Sequence, residues 1–109
     1  MTTITIIKSK SGNYKSMTCS GHAGYAESGS DIVCAAVSML VINTINSLDV
    51  LTNTQMQVEA DETEGYIDCK FLAELTEKET LLMDSLVLGL SETVEQYGKK
   101  FLKLRFKEV

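Results

Sequence analysis

The sequence predicts an α+β domain, a mostly antiparallel sheet with two long helices in the order β-β-α-β-β-α-β. Three observations predict it. Apolar side chains alternate with period two in five short stretches, four of which pair off across turn-forming residues. Two longer stretches instead carry their apolar residues at helical spacing. No proline and no low-complexity run interrupts the 109 residues, so they read as a single domain, 1–109, with enough chain for one core and not for two.

Residues 2–8 set Ile4 and Ile6 against Thr3, Thr5 and Ile7, a β-branched strand. Ser11-Gly12-Asn13 turns the chain into a second strand at 14–22, which closes a hairpin. On it Met17 and Cys19 share one face, while Ser16, Thr18, Ser20 and His22 share the other. Residues 23–30 form a loop of mainly small side chains. Ser30 or Asp31 then caps a helix that runs to about Leu51. From Ile32 to Ile42 this helix is apolar nearly all round, which requires cover on more than one side. Met56, Val58 and Ala60 alternate with Gln55, Gln57 and Glu59. After a turn at 61–65, Ile67, Cys69 and Phe71 alternate with Tyr66, Asp68 and Lys70, giving a second hairpin. Thr76 with Glu79 is a capping box, opening a helix that Gly98 closes. Its stripe of Leu82, Met83, Leu86, Val87, Leu90, Val94 and Tyr97 faces the core. Residues 101–107 make the last strand, with Leu102, Leu104 and Phe106 inward and Lys103, Arg105 and Lys107 outward.

One sheet and one other helix leave part of the first helix uncovered, and Leu81 and Leu88 stand on the acidic back of the second. These residues leave two readings open, a homodimer with helices at its interface and scattered apolar surface.

A composition of 44% hydrophobic and 23% charged residues is that of an ordinary soluble domain. The first residues lack the basic start and apolar core of a signal peptide. The longest apolar run, 32–42, is broken by Ser38 and too short to span a bilayer, so no membrane partner is expected. A formal charge of −5 argues against nucleic acid, whose phosphates need a basic face, and suits a basic partner. Three cysteines cannot all pair, and the chain reads as reduced and cytoplasmic.

The chemistry concentrates between Cys19 and Ser38. His22 is the only histidine, and Cys34 falls where a helix begins. Only a thiolate attacks well, and first-turn N–H groups with the helix dipole favour negative charge at such a cysteine. The connection from 22 to 34 is long enough to fold back, so His22 and Cys34 can form a base–nucleophile pair, with free N–H groups to hold an oxyanion. Asp31 either caps the helix or orients His22, and Ser38 lies one turn beyond Cys34 on the same face. Gly21 either loosens the strand end or lets a backbone come close. Spacing alone leaves two rivals open. In one, Cys34 is a small buried hydrophobe and His22 is structural. In the other, Cys19, His22 and Cys34 ligate zinc, against which strand parity points Cys19 and His22 to opposite faces. Cys19 and Cys69 read as core residues, and no cofactor or metal is expected.

The blocks G-H-A-G-Y-A at 21–26 and G-S-D-I-V-C-A-A-V-S at 29–38 resemble the ribosomal-processing cysteine protease family, Prp. That resemblance implies a cytoplasmic, homodimeric endopeptidase. It would remove the N-terminal extension of the precursor of large ribosomal subunit protein twenty-seven, cutting after a pair of phenylalanines. His22 is carried over as general base and Cys34 as nucleophile, while Gly21, Asp31 and Ser38 match other motif positions. Ala23, Gly24, Tyr25, Ala26, Glu27, Ser28, Gly29 and Ser30 would form a mobile loop that closes over an extended peptide. Ser28 stands where many relatives carry an aromatic residue, a departure that bears on the groove or the loop and not on the dyad. The alternative to an enzyme is a non-catalytic, ribosome-associated module that holds a peptide with the same loop.

Overall fold

The structure is a computed structural model that describes residues 2–21, 30–61, 65–97 and 100–109, with the main chain alone at Ser30 and Asp31. The elements follow in the expected order: β1 (Thr2–Lys8), β2 (Tyr14–Ser20), α1 (Ser30–Leu51), β3 (Met56–Asp61), β4 (Tyr66–Phe71), α2 (Glu77–Tyr97) and β5 (Leu102–Glu108).

The five strands form one sheet in the order β3-β4-β2-β1-β5. The β1–β2, β2–β4 and β3–β4 pairs are antiparallel, and β5 joins β1 in parallel. Two crossovers result, β2-α1-β3 and β4-α2-β5. They step in opposite directions across the sheet from strands that point opposite ways. A common right-handed sense therefore lays both helices on one face. The core has that arrangement: Ile4, Ile6, Met17, Cys69 and Leu102 from the strands are buried with Val33, Val37, Val41 and Leu48 of α1 and Met83, Leu86 and Leu90 of α2. The opposite sheet face carries Thr3, Thr5, Ser16 and Thr18, with the Thr18 hydroxyl donating to Asp68 at 3.1 Å.

Several boundaries depart from the sequence reading. β2 ends at Ser20, two residues short of His22, because Gly21 has φ = 111° and leaves the extended region. α1 includes both Ser30 and Asp31, so neither precedes the helix as its cap and Ser30 is not part of the loop. Phe106 lies on the inward parity of β5 but is 55% exposed, since β5 is an edge strand and Leu102 and Leu104 take up the cover near its start.

α2 opens as expected. Thr76 N–H donates to the Glu79 carboxylate at 2.8 Å and Glu79 N–H donates to the Thr76 hydroxyl at 3.3 Å, a complete capping box. Gly98 lies outside the described residues. The helices touch where Gly89 faces Leu40; a Cβ at 89 would stand 3.2 Å from a Leu40 methyl. Cover of α1 is one-sided. Its buried stripe is Val33, Val37, Val41, Thr44 and Leu48, while Ile32, Met39 and Ile42 are exposed, as are Leu81 and Leu88 on α2. By length and composition the helical stretch Ile32–Leu51, longer than the 32–42 run noted above, is apolar enough to cross a membrane, with a mean hydropathy of 1.6. In this fold its stripe is part of the shared core.

Candidate active site

Cys34 is the fifth residue of α1 and is half-buried. That places it at the start of the second turn and not in the first turn the sequence suggested. In a regular helix its own N–H is committed to the Ser30 carbonyl, so the free donors belong to the residues before it. A helical side chain leans toward the N-terminus, which still tilts the Cys34 thiol toward those donors.

The thiol borders a cavity of about 400 Å³ between α1 and the β3–β4 end of the sheet. On the α1 side Cys34 is followed by Ser38, Ile42, Ile45 and Asn46; the sheet side supplies Cys19, Val58, Ala60, Tyr66 and Ile67. The cavity exists because α1 does not cover the outer hairpin: β3 is exposed over residues 57–61, including Val58 on the helix-facing parity. Gly21 also borders it, and the positive φ there is a conformation that a side chain would strain.

The three cysteines, all free, divide clearly. Cys19 and Cys69 are buried on the inward sheet face, as strand parity predicts. Burial pushes the Cys19 thiol up to about 11, with a further rise from the charge of Cys34. Burial does the same at Cys69, also to about 11, with Asp68 adding to it. Cys69 donates to the Met56 thioether at 3.8 Å. Cys34 alone among them is not buried.

Of the residues singled out from the sequence, the fold gathers Gly21, Cys34 and Ser38 around one cavity. Asp31 lies in the first turn of α1. His22 and the loop positions 23–29 lie outside the described residues, as does the Asp31 side chain. Among the described residues no group of three His, Cys, Asp or Glu side chains is arranged to hold a metal. The parity argument against joint ligation by Cys19 and His22 does not extend past Ser20, where the strand ends.

Ile42, Ile45, Asn46 and Val58 were missed as cavity walls. The four-residue step from Cys34 through Ser38 to Ile42 and Asn46 carries that information for the helix side. Most of the sheet side comes from β3 and β4, which no local pattern ties to Cys34.

A protein-family model described as "Cysteine protease Prp" matches residues 1–102. The chain is 32% identical over 104 residues to the ribosomal processing cysteine protease Prp of Bacillus subtilis, covering 92% of each chain. It superposes with a TM-score of 0.91, at 23% identity, on the crystal structure of the ribosomal processing protease Prp from S. aureus in complex with a substrate peptide, covering 98% of this chain and 100% of that one. A Streptococcus mutans crystal structure is 34% identical with a TM-score of 0.85, covering 100% of this chain and 96% of that one.

Proposed function

The chain belongs to the cysteine protease Prp family and is a cysteine protease, and from that premise we propose that it matures a ribosomal protein precursor. The substrate in this reading is the N-terminal extension of large ribosomal subunit protein twenty-seven, cut after its phenylalanine pair. One observation carries the assignment of the nucleophile. Cys34 is the thiol that is not buried, and it borders a cavity of about 400 Å³, whereas Cys19 and Cys69 are core thiols held protonated.

In the proposed mechanism His22 takes the Cys34 thiol proton, and Sγ attacks the scissile carbonyl carbon. The tetrahedral oxyanion collapses to a Cys34 thioester as the C–N bond breaks, and His22 protonates the leaving amine. Water, deprotonated by His22, then attacks the thioester and releases the acid, and the thiol is restored. The N–H groups opening α1 lie on the side toward which Cys34 leans and serve the oxyanion. Asp31 bears on the His22 charge, Ser38 bonds the substrate from the next turn, and Gly21 admits its backbone. The 23–29 segment closes over the peptide, anchored where α1 begins at Ser30.

The partners follow from the same reading. A net charge of −5 suits a basic ribosomal protein. Exposed Ile32 and Met39 on α1, with Leu81 and Leu88 on α2, form the interface of a cytoplasmic homodimer. The test is direct. The precursor incubated with the protein should lose its extension, read as a mass change, and the Cys34→Ala variant should leave it intact. A precursor cut equally well by that variant would refute the nucleophile.

A further inference from the structure

The cavity beside Cys34 is longer than the chemistry at one bond requires. Along its helical wall Cys34, Ser38, Ile42 and Asn46 follow at four-residue steps, with Ile45 beside them. At 1.5 Å rise per residue, Cys34 to Asn46 spans about 18 Å, the length of about five residues of extended peptide. Near the Cys34 end the wall is polar and small, with Ser38 and Gly21. About 12 Å along, at Ile42, it becomes apolar, and Val58 stands on the sheet side of the same cavity. Ile42 and Val58 are 45% and 41% exposed, large apolar side chains left without cover.

We propose that Ile42, Ile45 and Val58 form a remote specificity subsite for a bulky apolar side chain three or four residues from the cleaved bond of an extended peptide. The proposal rests on Cys34 as nucleophile. Its occupant is the substrate chain itself, because the same cavity begins at the thiol and continues without a break to these residues. A crystallised relative of the same fold is described as holding a substrate peptide. An extended strand advances about 3.4 Å per residue, so a residue three or four positions from the bond reaches the Ile42 level.

The experiment reads alkylation of Cys34 and needs no hydrolysis. Two series of cysteine-directed reagents are compared, peptidyl chloromethyl ketones and chloroacetylated peptides, which carry the chain on the acyl side and the amine side. Each is an alanine pentapeptide in which one leucine is moved from the first to the fifth position. In one series, leucine at the third or fourth position should speed alkylation roughly tenfold over the all-alanine reagent. Val58→Gln and Ile42→Gln, neutral changes at exposed positions, should remove that gain once each rate is divided by the same variant's iodoacetamide rate. A flat profile in both series, as a second copy of the chain filling the groove would give, overturns the subsite. So does a gain that survives both substitutions. A clear positional gain with the ribosomal precursor left uncut would keep the subsite and sink the precursor as the substrate.

Discussion

Cys19 on β2 and Cys34 on α1 border one cavity from the two layers of the fold, and the charge of Cys34 helps raise the Cys19 thiol to about 11. The pair is unequal by construction. Cys19 sits at 7% exposure on the inward sheet face, while Cys34 is open to the cavity. Only the thiolate alkylates, and a thiol at about 11 holds roughly one part in ten thousand of it at neutral pH. Brief iodoacetamide treatment of the native protein at pH 7 should therefore label Cys34 selectively, with Cys19 and Cys69 labelling only after denaturation. Peptide mass mapping checks this, and equal labelling of all three thiols would contradict the division of roles.

Substitution should separate chemistry from packing along the same line. Cys34→Ala removes a half-buried group from a cavity wall, so the melting temperature should hold while cleavage falls by about a thousandfold or more. Cys69→Ser places a hydroxyl at a fully buried position beside the Met56 thioether, a weak partner. It should lose about 1–3 kcal/mol of stability with turnover little changed, as measured by urea unfolding and precursor cleavage. A Cys69→Ser protein that unfolds like the parent but has lost turnover would move Cys69 out of the core and into the site.

Gly89 tests the helix layer that carries Cys34. Alanine there gains helix propensity of about 1 kcal/mol, but its Cβ meets two Leu40 methyls at 3.2 and 3.3 Å. The contact is with the end of a partly buried Leu40 side chain, where a shift of a few tenths of an ångström admits the methyl, so Gly89→Ala should be near neutral. Gly89→Leu has no such escape and should lose about 1–3 kcal/mol by overpacking α1 against α2. Thermal melts of the two variants should differ accordingly; identical melts would mean the helices do not meet at this point.

What was legible in the sequence was local. Strand parity at Ile4, Ile6, Met17 and Cys19 and the reciprocal cap of Thr76 and Glu79 each depend on residues a few positions apart, and each reappears in the fold. The helix start was misread by a residue or two because Ser30 and Asp31 are good caps and equally tolerable first-turn residues. The parallel pairing of β5 with β1 joins residues about a hundred positions apart and carries no local signal. The groove was hidden for the same reason: Ile42 reads as one more apolar residue of a core helix until β3 is seen to lie beyond the reach of α1.

The cap of α2 contains a carboxylate whose ionisation stabilises the fold. Glu79 is 5% exposed, and its carboxylate accepts from Thr54, from the Thr76 N–H at 2.8 Å and from Thr52 at 3.4 Å. The Thr54 hydroxyl and then the Thr76 N–H hold it below the usual glutamate range, against the opposing effect of burial. A depressed folded value means that the stabilisation is fully present above the unfolded glutamate pKa of about 4.3. It is lost as pH falls through that range toward the folded value. Glu79→Gln keeps the shape but removes the charge, so at pH 7 it should lose about 0.5–2 kcal/mol. Between pH 5 and pH 3 the parent should lose stability faster than the variant, and the two should converge. Urea midpoints across that range decide the matter, since parallel acid limbs would place the linkage on some other carboxylate. The strand connection holding Thr52 and Thr54 follows α1 directly, so the same carboxylate ties the end of the Cys34 helix to the start of α2. Protonating it should loosen both helices together, and hydrogen exchange at pH 3 should show protection falling at the C-terminal turn of α1 in step with the N-terminal turn of α2.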